Sequence, residues 1–544
     1  MLTSGAKARA PSLRVQKVAT IPAPVGGLNA RDSYASMAPT DAISLVNWLP
    51  DTGGVRCRKG YAEWAIDFPS SNEVQSIFGY FAPGTSFTAA EFVPQPSSVP
   101  GKLFAATKAA IYDISTSTNT PTSVQALSGG TYAGWISHAQ MTNSAGTYLL
   151  VCSETDGYYY YNGATWSAGG TTGLASADAA FLMVWKRRIW LVEQDSTSAW
   201  YLPANAVTGA ATEFDFGPVF KTGGKLEYLA SWTIDAGEGI DDFLVAVSSL
   251  GDVAVYKGTD PASAATFALV GTWQVGPIPV GRRGFTQYGG DLLILSSTGV
   301  FPISYVTRGG AGFLQATGKE YTSKIRAAIG KDLQYSFALR GWQLMDHPNE
   351  RILLANVPNY TQSQSRQYVM STVFNEWGTY QDIPIYTMGK HAGYAFAGTE
   401  DGRVLLLTTG AVDNVAYGTA TGDAIRGIII PAFSTFSMPA VQKHMKMVRC
   451  NFLSEASPAI NVNVNVNYSL RSPTTTPTPS ASTDALWDAA LWDSAVWGGE
   501  QRPYSAWAGV NGMGFAAAAT IVIESVADSV LTSIDYMFEP GGPL

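Results

Sequence analysis

The chain has 544 residues, a net charge of −8, 14% charged residues and 12% aromatic residues. Its length exceeds what one compact core supports, so we expect several domains or one large repetitive domain. No long basic block is present, which argues against a protein that grips nucleic acid tightly. The longest apolar runs are far too short for a membrane span.

The first 70 residues are predicted to form two parts. Residues 1–20 contain basic residues but lack the apolar core of a secretory signal, and we interpret them as a loose N-terminal arm. Residues 21–70 are expected to pack on, or to close, the domain that follows. The best helix signal of the chain lies at 39–49, with Thr40 or Asp41 as a cap. Four apolar residues would then share one helical face: Ala42, Leu45, Val46 and Leu49.

Residues 71–415 repeat one pattern, in which an apolar strand is followed by a glycine turn and an aromatic-rich strand. The turn dipeptides supply the positive φ that tight hairpins need: Asp156-Gly157, Gly251-Asp252, Thr298-Gly299 and Asp401-Gly402. Successive turn glycines are 94, 48 and 103 residues apart, which fits two, one and two steps of a period of about 45 to 50 residues. Such a period predicts the blades of a β-propeller, six or seven in number. A two-sheet sandwich array would leave a similar trace.

Residues 416–544 change pattern and are predicted to form a C-terminal β platform that resembles a small β-sandwich. Asn and Val alternate over 461–467, which indicates a half-buried strand. A Ser-, Thr- and Pro-rich linker at 472–483 precedes a Trp-rich loop at 484–510. The fold class is therefore predicted as all-β, a β-propeller followed by a sandwich-like platform.

Three tryptophans of this loop recur every five residues: Trp487, Trp492 and Trp497. A spacing of five fits neither a helix face nor a strand face, but it fits successive tight turns that are each pinned by a Trp. The three rings either anchor the loop in the core of their own chain or anchor it against a neighbouring protomer, as aromatic residues do at interface centres.

Arg56, Arg58 and Lys59 form a basic cluster near the N-terminus. One interpretation is a solvated loop whose charges pair with Asp32 and Asp41. The other is a contact with a partner subunit or with passing DNA, and the three residues are candidates for a partner or oligomer interface.

An acidic, Gly-rich loop contains Glu238, Asp241 and Asp242. Paired carboxylates could perform the acid/base work of glycoside hydrolysis, but the simpler interpretation is an exposed acidic loop. In a protein that encloses a DNA channel, these three residues would be candidates for its lining, where they repel the DNA backbone.

Recognisable catalytic and metal-binding patterns are missing from the sequence. The four histidines do not have metal-ligand spacing, and neither a phosphate-binding loop nor a nucleophile elbow is present. We therefore predict no catalytic residue, no metal and no cofactor, and we predict that the chain is not an enzyme. The three scattered cysteines suit a reducing cytoplasm and are expected to be buried structural thiols: Cys57, Cys152 and Cys450.

The run at 22–64 carries a resemblance to a known family. Its recognisable residues are Gly26-Gly27-Leu28-Asn29, Asp32, Met37, Asp41-Ala42, Asn47-Trp48, Pro50, Gly53-Gly54, Arg56 and Arg58-Lys59-Gly60-Tyr61. The run resembles the opening of the tail nozzle or tail hub (DNA stabilisation) proteins of short-tailed bacteriophages, and the Trp-rich tract at 486–499 is similar to their C-terminal region. Together these markers cover about a tenth of the chain.

The resemblance implies a structural subunit of the virion tail, assembled in the host cytoplasm. It implies a homohexameric ring around a channel that retains packaged DNA and conducts it at ejection, without sequence specificity. The implied partners are the head-to-tail adaptor protein above and tail fibre or spike proteins at the side. The alternative is a propeller-based tail protein that binds or hydrolyses glycans, in which the tyrosines at 158–161 could contact sugar.

Overall fold

The computed structural model describes residues 16–69, 73–89, 91, 93–235, 240–308, 321–358, 365–471, 477 and 501–543. The described chain is almost entirely β-structure, with two short α-helices, α1 (Ile303–Arg308) and α2 (Arg326–Ser336). It divides into two compact units. Residues 58–425 form what we call the propeller unit, and residues 1–57 together with 426–544 form the sandwich unit. None of the described helices has the length and hydropathy of a membrane span.

The first four sheets of the propeller unit are four-stranded antiparallel meanders, numbered here as blades 1 to 4. Blade 1 contains β6 (Ser76–Tyr80), β7 (Lys102–Ala106), β8 (Ala110–Asp113) and β9 (Thr122–Ala126). Blade 2 contains β10 (Ile136–Asn143), β11 (Gly146–Ser153), β12 (Gly157–Tyr161) and β13 (Trp166–Ala168). Blade 3 contains β15 (Ala179–Trp185), β16 (Arg188–Glu193), β17 (Ser198–Tyr201) and β19 (Thr212–Asp215), and a short parallel pair, β14 (Thr171–Thr172) and β18 (Gly209–Ala210), lies beside it in sequence. Blade 4 contains β20 (Leu226–Asp235), β21 (Ile240–Ser248), β22 (Asp252–Gly258) and β23 (Phe267–Gln274).

Three further blades complete the unit within the described residues. Blade 5 has three strands, β24 (Phe285–Tyr288), β25 (Asp291–Ser296) and β26 (Gly299–Pro302), and both helices contact β26. Blade 6 contains β27 (Gln343–His347), β28 (Ile352–Val357), β29 (Arg366–Ser371) and β30 (Glu376–Gln381). Blade 7 contains β31 (Thr387–His391), β32 (Tyr394–Gly398), β33 (Val404–Leu407) and β5 (Tyr61–Ala65). Beyond it, β34 (Val412–Asp413) pairs with the start of β35 (Asp423–Pro431).

The first strands of the blades form a closed ring. Each contacts the next blade in order, and β31 of blade 7 contacts β6 of blade 1. The contact is tight there, since a Cβ added to Gly389 would lie 2.5 Å from the carbonyl oxygen of Ile77. A single sheet cannot bury its own two faces, so the faces of each blade are buried against the neighbouring blades. Between blades 4 and 5, for example, the rings of Tyr228 and Phe285 stack with their centroids 4.4 Å apart. The fold is a seven-bladed β-propeller, within the predicted range of six or seven.

The ring is closed by a strand from the N-terminal side of the unit. β5 pairs with β33 as the outer strand of blade 7. Trp64 of β5 is fully buried, donates a hydrogen bond to the carbonyl oxygen of Ile114 at 2.8 Å, and packs edge-on against Phe396. Because β5 and β33 are far apart in sequence, blade 7 forms only when both ends of the unit have folded.

The predicted turn glycines occupy one structural position. Gly157, Gly251, Gly299 and Gly402 lie in the connection from the second to the third strand of blades 2, 4, 5 and 7, or begin that third strand, and have φ between 77° and 131°. The intervals of two, one and two blades match the predicted steps. The period found in the sequence therefore corresponds to the same hairpin turn recurring from blade to blade.

The sandwich unit has two packed sheets. One contains β1 (Lys17–Pro22), β3 (Trp48–Asp51), β4 (Gly54–Cys57), β36 (Val441–Ser454), β38 (Arg502–Gly514) and β40 (Ser529–Pro543). The other contains β2 (Ala42–Val46), the end of β35, β37 (Ala459–Val466) and β39 (Ala517–Ser525). The sheets meet where the backbone N–H of Ala519 donates to the hydroxyl of Tyr536 at 2.9 Å. On β37, the predicted half-buried strand, Val462 and Val464 are buried.

The sandwich unit draws on both ends of the chain. The segment expected at 21–70 is divided after Cys57: its first part supplies β2 to β4 of the sandwich unit, and its last part supplies β5 of the propeller. The division follows from strand pairing, because β1 and β4 both pair with β40 near the C-terminus.

The helix predicted at 39–49 is wrong, because these residues form β2 and β3. A register shift after Ala42 and a left-handed backbone at Asn47 (φ 60°) interrupt the strand alternation. As a result Ala42, Leu45 and Trp48 all point inward and are fully buried. Their spacing of three imitates a helical face. Asp41 does not cap a helix but accepts a hydrogen bond from the side chain of Asn29 at 2.7 Å.

Candidate functional site at the propeller axis

The first strands of the blades enclose a cavity of about 220 Å³ on the propeller axis. It lies near the N-terminal ends of these strands and is lined by residues from blades 1, 2, 3, 5, 6 and 7. The walls are mixed in character, with aliphatic and aromatic side chains beside serines, a glutamine, a histidine and two arginines. This combination of an apolar enclosure and a few polar groups is typical of ligand sites.

Arg283 reaches across the axis from the start of blade 5. One terminal nitrogen donates to the carbonyl oxygen of Gln75 at 2.9 Å and to the hydroxyl of Thr387 at 2.7 Å. The other donates to the hydroxyl of Ser76 at 2.6 Å and to the carbonyl oxygen of Ile136 at 3.0 Å. One side chain thereby ties blades 1, 2 and 7 to blade 5. It forms a plug at this end of the cavity.

Trp135 lies beneath this plug. Its indole N–H donates to the carbonyl oxygen of Gly281 at 2.8 Å, and the guanidinium carbon of Arg283 lies 3.7 Å from its ring centroid. Arg340 lies over the ring of Tyr132 at 4.0 Å and is 5.7 Å from that of Trp135. Stacking of this kind stabilises a cation where water is excluded.

A buried carboxylate joins the two flanking arginines. Glu154 accepts a hydrogen bond from Nε of Arg282 at 2.7 Å and is paired with Arg340. Burial alone would raise the pKa of the Glu154 carboxyl, but the two arginines hold it below its ordinary value. Arg282 has a left-handed backbone (φ 60°) and also donates to the carbonyl oxygen of Glu227. Glu154 is therefore shared between two cations.

Glu227 is the second carboxylate of this region. It is 4% exposed, and burial raises the pKa of its side chain. Its Oε2 atom has no hydrogen-bond partner among the described residues. The carboxylate is thus poorly satisfied and does not form an ion pair with Arg283.

The opposite ends of the inner strands carry a second, more polar cavity of about 280 Å³. Its lining includes Ser231 of blade 4, Gln287 of blade 5, Asp346 of blade 6 and Lys390 of blade 7. Burial raises the pKa of the Asp346 carboxyl, and the charge of Lys390 opposes that rise. The lining of this cavity contains one cation, Lys390, and two carboxylates, Asp291 and Asp346, whereas the lining of the plugged end contains two arginines and no carboxylate.

The three basic residues predicted to act at an interface lie in different surroundings. Arg56 belongs to the sandwich unit, where it pairs with Asp51 at 2.5 Å and with Asp528. Arg58 belongs to the propeller unit and is fully buried, and Lys59 is half exposed. Arg56 pairs with Asp51 and Asp528, Arg58 with Asp413 and Lys59 with Glu350.

The other predicted residues lie outside the axial site or outside the described chain. Asp242 lies on β21 of blade 4 and accepts a hydrogen bond from Thr233 at 2.8 Å. Glu238 and the side chain of Asp241 are outside the described residues, as are Trp487, Trp492 and Trp497. Of the tyrosines considered for sugar contact, Tyr158 and Tyr161 are buried in blade 2.

Sequence analysis missed the residues that meet at the axis. They come from loops and strand starts separated by up to about two hundred positions, so no local pattern joins them: Trp135, His138, Glu154, Arg282, Arg283 and Arg340. The one available signal was the Gly281-Arg282-Arg283-Gly284 run, two adjacent cations between glycines in a chain with few charges. The prediction that the three cysteines are buried is confirmed.

No group of three His, Cys, Asp or Glu side chains with metal-binding geometry occurs in the part of the chain that the structure describes. The arrangement at the axis provides fixed hydrogen-bond donors and positive charge.

Comparison with known proteins gives similarity at the level of structure alone. No family model matches the chain, and no curated protein matches it. The computationally designed protein Ika8 is similar, with 10% identity over 64% of this chain and 99% of its own, at a TM-score of 0.34. BBS1N, solved in complex with ARL6DN, has 11% identity over 64% and 97%, at 0.36. BamB from Moraxella catarrhalis has 10% identity over 66% and 93%, at 0.33. The fold assignment rests on the strand pairing and blade contacts described above.

Proposed function

We propose that the chain is a structural subunit of the tail of a short-tailed phage, where it forms the wall of the nozzle or hub ring. The observation that carries the proposal is the resemblance of the run at 22–64 and of the Trp-rich tract to that family. The fold is compatible with it, because the family resemblance implies one propeller per protomer and the described residues form a seven-bladed propeller.

The structure at the propeller axis also favours a propeller that forms part of a channel wall over a propeller through which DNA passes. Arg283 spans the axis, and the cavity beside it has a volume of only about 220 Å³. A DNA duplex is much larger, since its major groove alone is about 12 Å wide. DNA would therefore pass through a lumen enclosed by several protomers, and each propeller would form part of the surrounding wall.

The ring would be a homohexamer held by head-to-tail contacts that close on themselves. A net charge of −8 suits a lumen along which DNA slides without sticking. In this assembly the adaptor protein would bind above the ring, and tail fibres or spikes would attach at its side. The location is the virion tail, after assembly in the host cytoplasm.

Co-expression with the adaptor protein tests the proposal. Negative-stain microscopy of the purified material should show closed rings, and the protein should leave capsular polysaccharide intact. Polysaccharide turnover that is lost on changing Glu238→Ala or Asp241→Ala would contradict a purely structural role and would favour the glycan-hydrolysing alternative.

A further inference from the structure

The axial cavity contains a cation without a counter-ion. Arg283 is enclosed by protein, yet its side chain keeps some accessible surface, and that surface faces the cavity. Its four terminal N–H groups are used on neutral acceptors of the protein. Among the described residues, no carboxylate forms an ion pair with it. Burial lowers the pKa of the guanidinium to about 9.

The surrounding charges do not supply this counter-ion. Glu154 is already paired with Arg282 and Arg340. Glu227 is buried, burial raises the pKa of its carboxyl, and it forms no ion pair with Arg283. Three arginines therefore lie near two carboxylates, and only Glu154 of the two forms ion pairs, with Arg282 and Arg340. Buried charges in proteins are normally paired, so an excess of this kind indicates an anion that the protein itself does not provide.

A second polar group faces the same space. His138 on β10 lines the cavity and is exposed to it, and no described residue forms a hydrogen bond with either ring nitrogen. With an ordinary imidazole pKa of about 6.5, the ring is mostly neutral near pH 7 and presents one N–H donor and one acceptor. A ligand in the cavity would meet an open hydrogen-bonding group opposite the cationic plug.

The remaining walls are apolar. Ile77, Phe181, Leu344 and Met388 are buried side chains that line the cavity, and Phe285 lies beside them. At about 30 Å³ per water molecule, a cavity of about 220 Å³ corresponds to roughly seven waters, the size of a compact organic molecule.

We propose that the axial cavity binds a small carboxylate, with its charge next to Arg283, its apolar or ring-shaped body against Phe181 and Phe285, and a polar substituent at His138. The carboxylate could belong to a free organic acid or to an acidic sugar. The site is independent of the proposed tail function, because a ring could assemble whether or not the cavity is filled.

Calorimetric titration of the full-length protein with benzoate tests this site, with benzamide as the neutral analogue of the same shape and glucuronate as the sugar acid. We expect either benzoate or glucuronate to bind. If benzoate binds, its affinity should be at least tenfold higher than that of benzamide. Binding of glucuronate alone would identify an acidic sugar as the source of the carboxylate. Equal affinity for benzoate and benzamide, or binding of neither acid, would overturn the proposal.

Two variants locate the binding. His138→Trp should fill the cavity and weaken binding of the acid at least tenfold, whereas Met513→Trp adds the same ring at an exposed position of the sandwich unit and should leave it unchanged. Arg283→Gln should weaken binding of the acid similarly, provided that its melting curve remains cooperative. If His138→Trp binds the acid with unchanged affinity, the acid binds elsewhere and the proposal is contradicted. This outcome is decisive even if Arg283→Gln does not fold.

Discussion

Arg58 illustrates how far a residue's surroundings can differ from its sequence context. Its side chain is fully buried, and both terminal nitrogens bond to Asp413, at 2.6 and 2.5 Å. Burial raises the pKa of the Asp413 carboxyl, and Arg58 opposes that rise. The partner lies 355 positions away, so the sequence alone could not identify it. In the sequence Arg56, Arg58 and Lys59 form one basic cluster, but in the fold each of them pairs with a different acid.

The Arg58 ion pair gives a first prediction. Arg58→Ala should lower the free energy of unfolding by about 3–5 kcal/mol, because it leaves Asp413 buried without a partner. Lys59→Ala is the matched control, since Lys59 is half exposed and pairs with Glu350 at the surface. Its effect should stay within about 0.5 kcal/mol. Urea unfolding followed by Trp fluorescence measures both, and equal effects would contradict the assigned burial.

A buried histidine gives a second prediction, on pH. Burial, with Lys390 and Lys59 nearby, lowers the pKa of His347 to about 4, and its ring bonds to the hydroxyl of Thr408. The unfolded chain, with an ordinary pKa of about 6.5, binds more protons between these two values. The stability that the neutral ring supplies is therefore complete above about pH 6.5 and is lost as the pH falls toward 4.

The His347 contribution can be separated from other titrations by substitution. The shift corresponds to on the order of 3 kcal/mol at about 1.4 kcal/mol per pH unit. His347→Gln should lose less stability than the wild type when urea unfolding is compared at pH 7 and pH 4.5. An identical loss in both proteins would show that His347 does not titrate in this range.

At the scale of single elements, the hairpin turns were the most predictable feature. Glycine at a positive φ is a local requirement, so its position can be found in the sequence without knowledge of distant contacts. The β2–β3 segment was mispredicted for the opposite reason. Its spacing arises from a register shift and from the left-handed Asn47, features that depend on pairing with β35 near the C-terminal part of the chain.

Glycines with a positive φ differ in how closely they are packed, and this gives a third prediction. Gly251 has φ 89°, and an added Cβ would lie 1.9 Å from the carbonyl oxygen of Gly276. Gly129 has φ 82° with open space around it. Both Ala substitutions carry the same left-handed strain of about 1 to 2 kcal/mol, but Gly251→Ala also forces two backbone segments apart. Thermal unfolding should show a clearly larger loss for Gly251→Ala, and similar losses would argue against the close contact.

At the scale of the whole molecule, the sequence was sufficient to predict the fold class but not the axial site. Blade repeats follow from hydrophobic patterning and turns, which are local. The plug at the axis requires Arg283, Trp135 and Arg340 to converge from three different blades, and this depends on the closure of all seven. The fold does not by itself identify the function, because propellers of one architecture serve many roles.

We propose that this chain forms the wall of a tail channel. Cryo-electron microscopy of short-tailed phage virions assembled with this chain would test the proposal most directly. We expect a hexameric ring at the tail, with a propeller and a sandwich in each protomer and with DNA density in the lumen between protomers. Absence of the chain from the tail, or DNA density running through the propeller axis past Arg283, would contradict the claim.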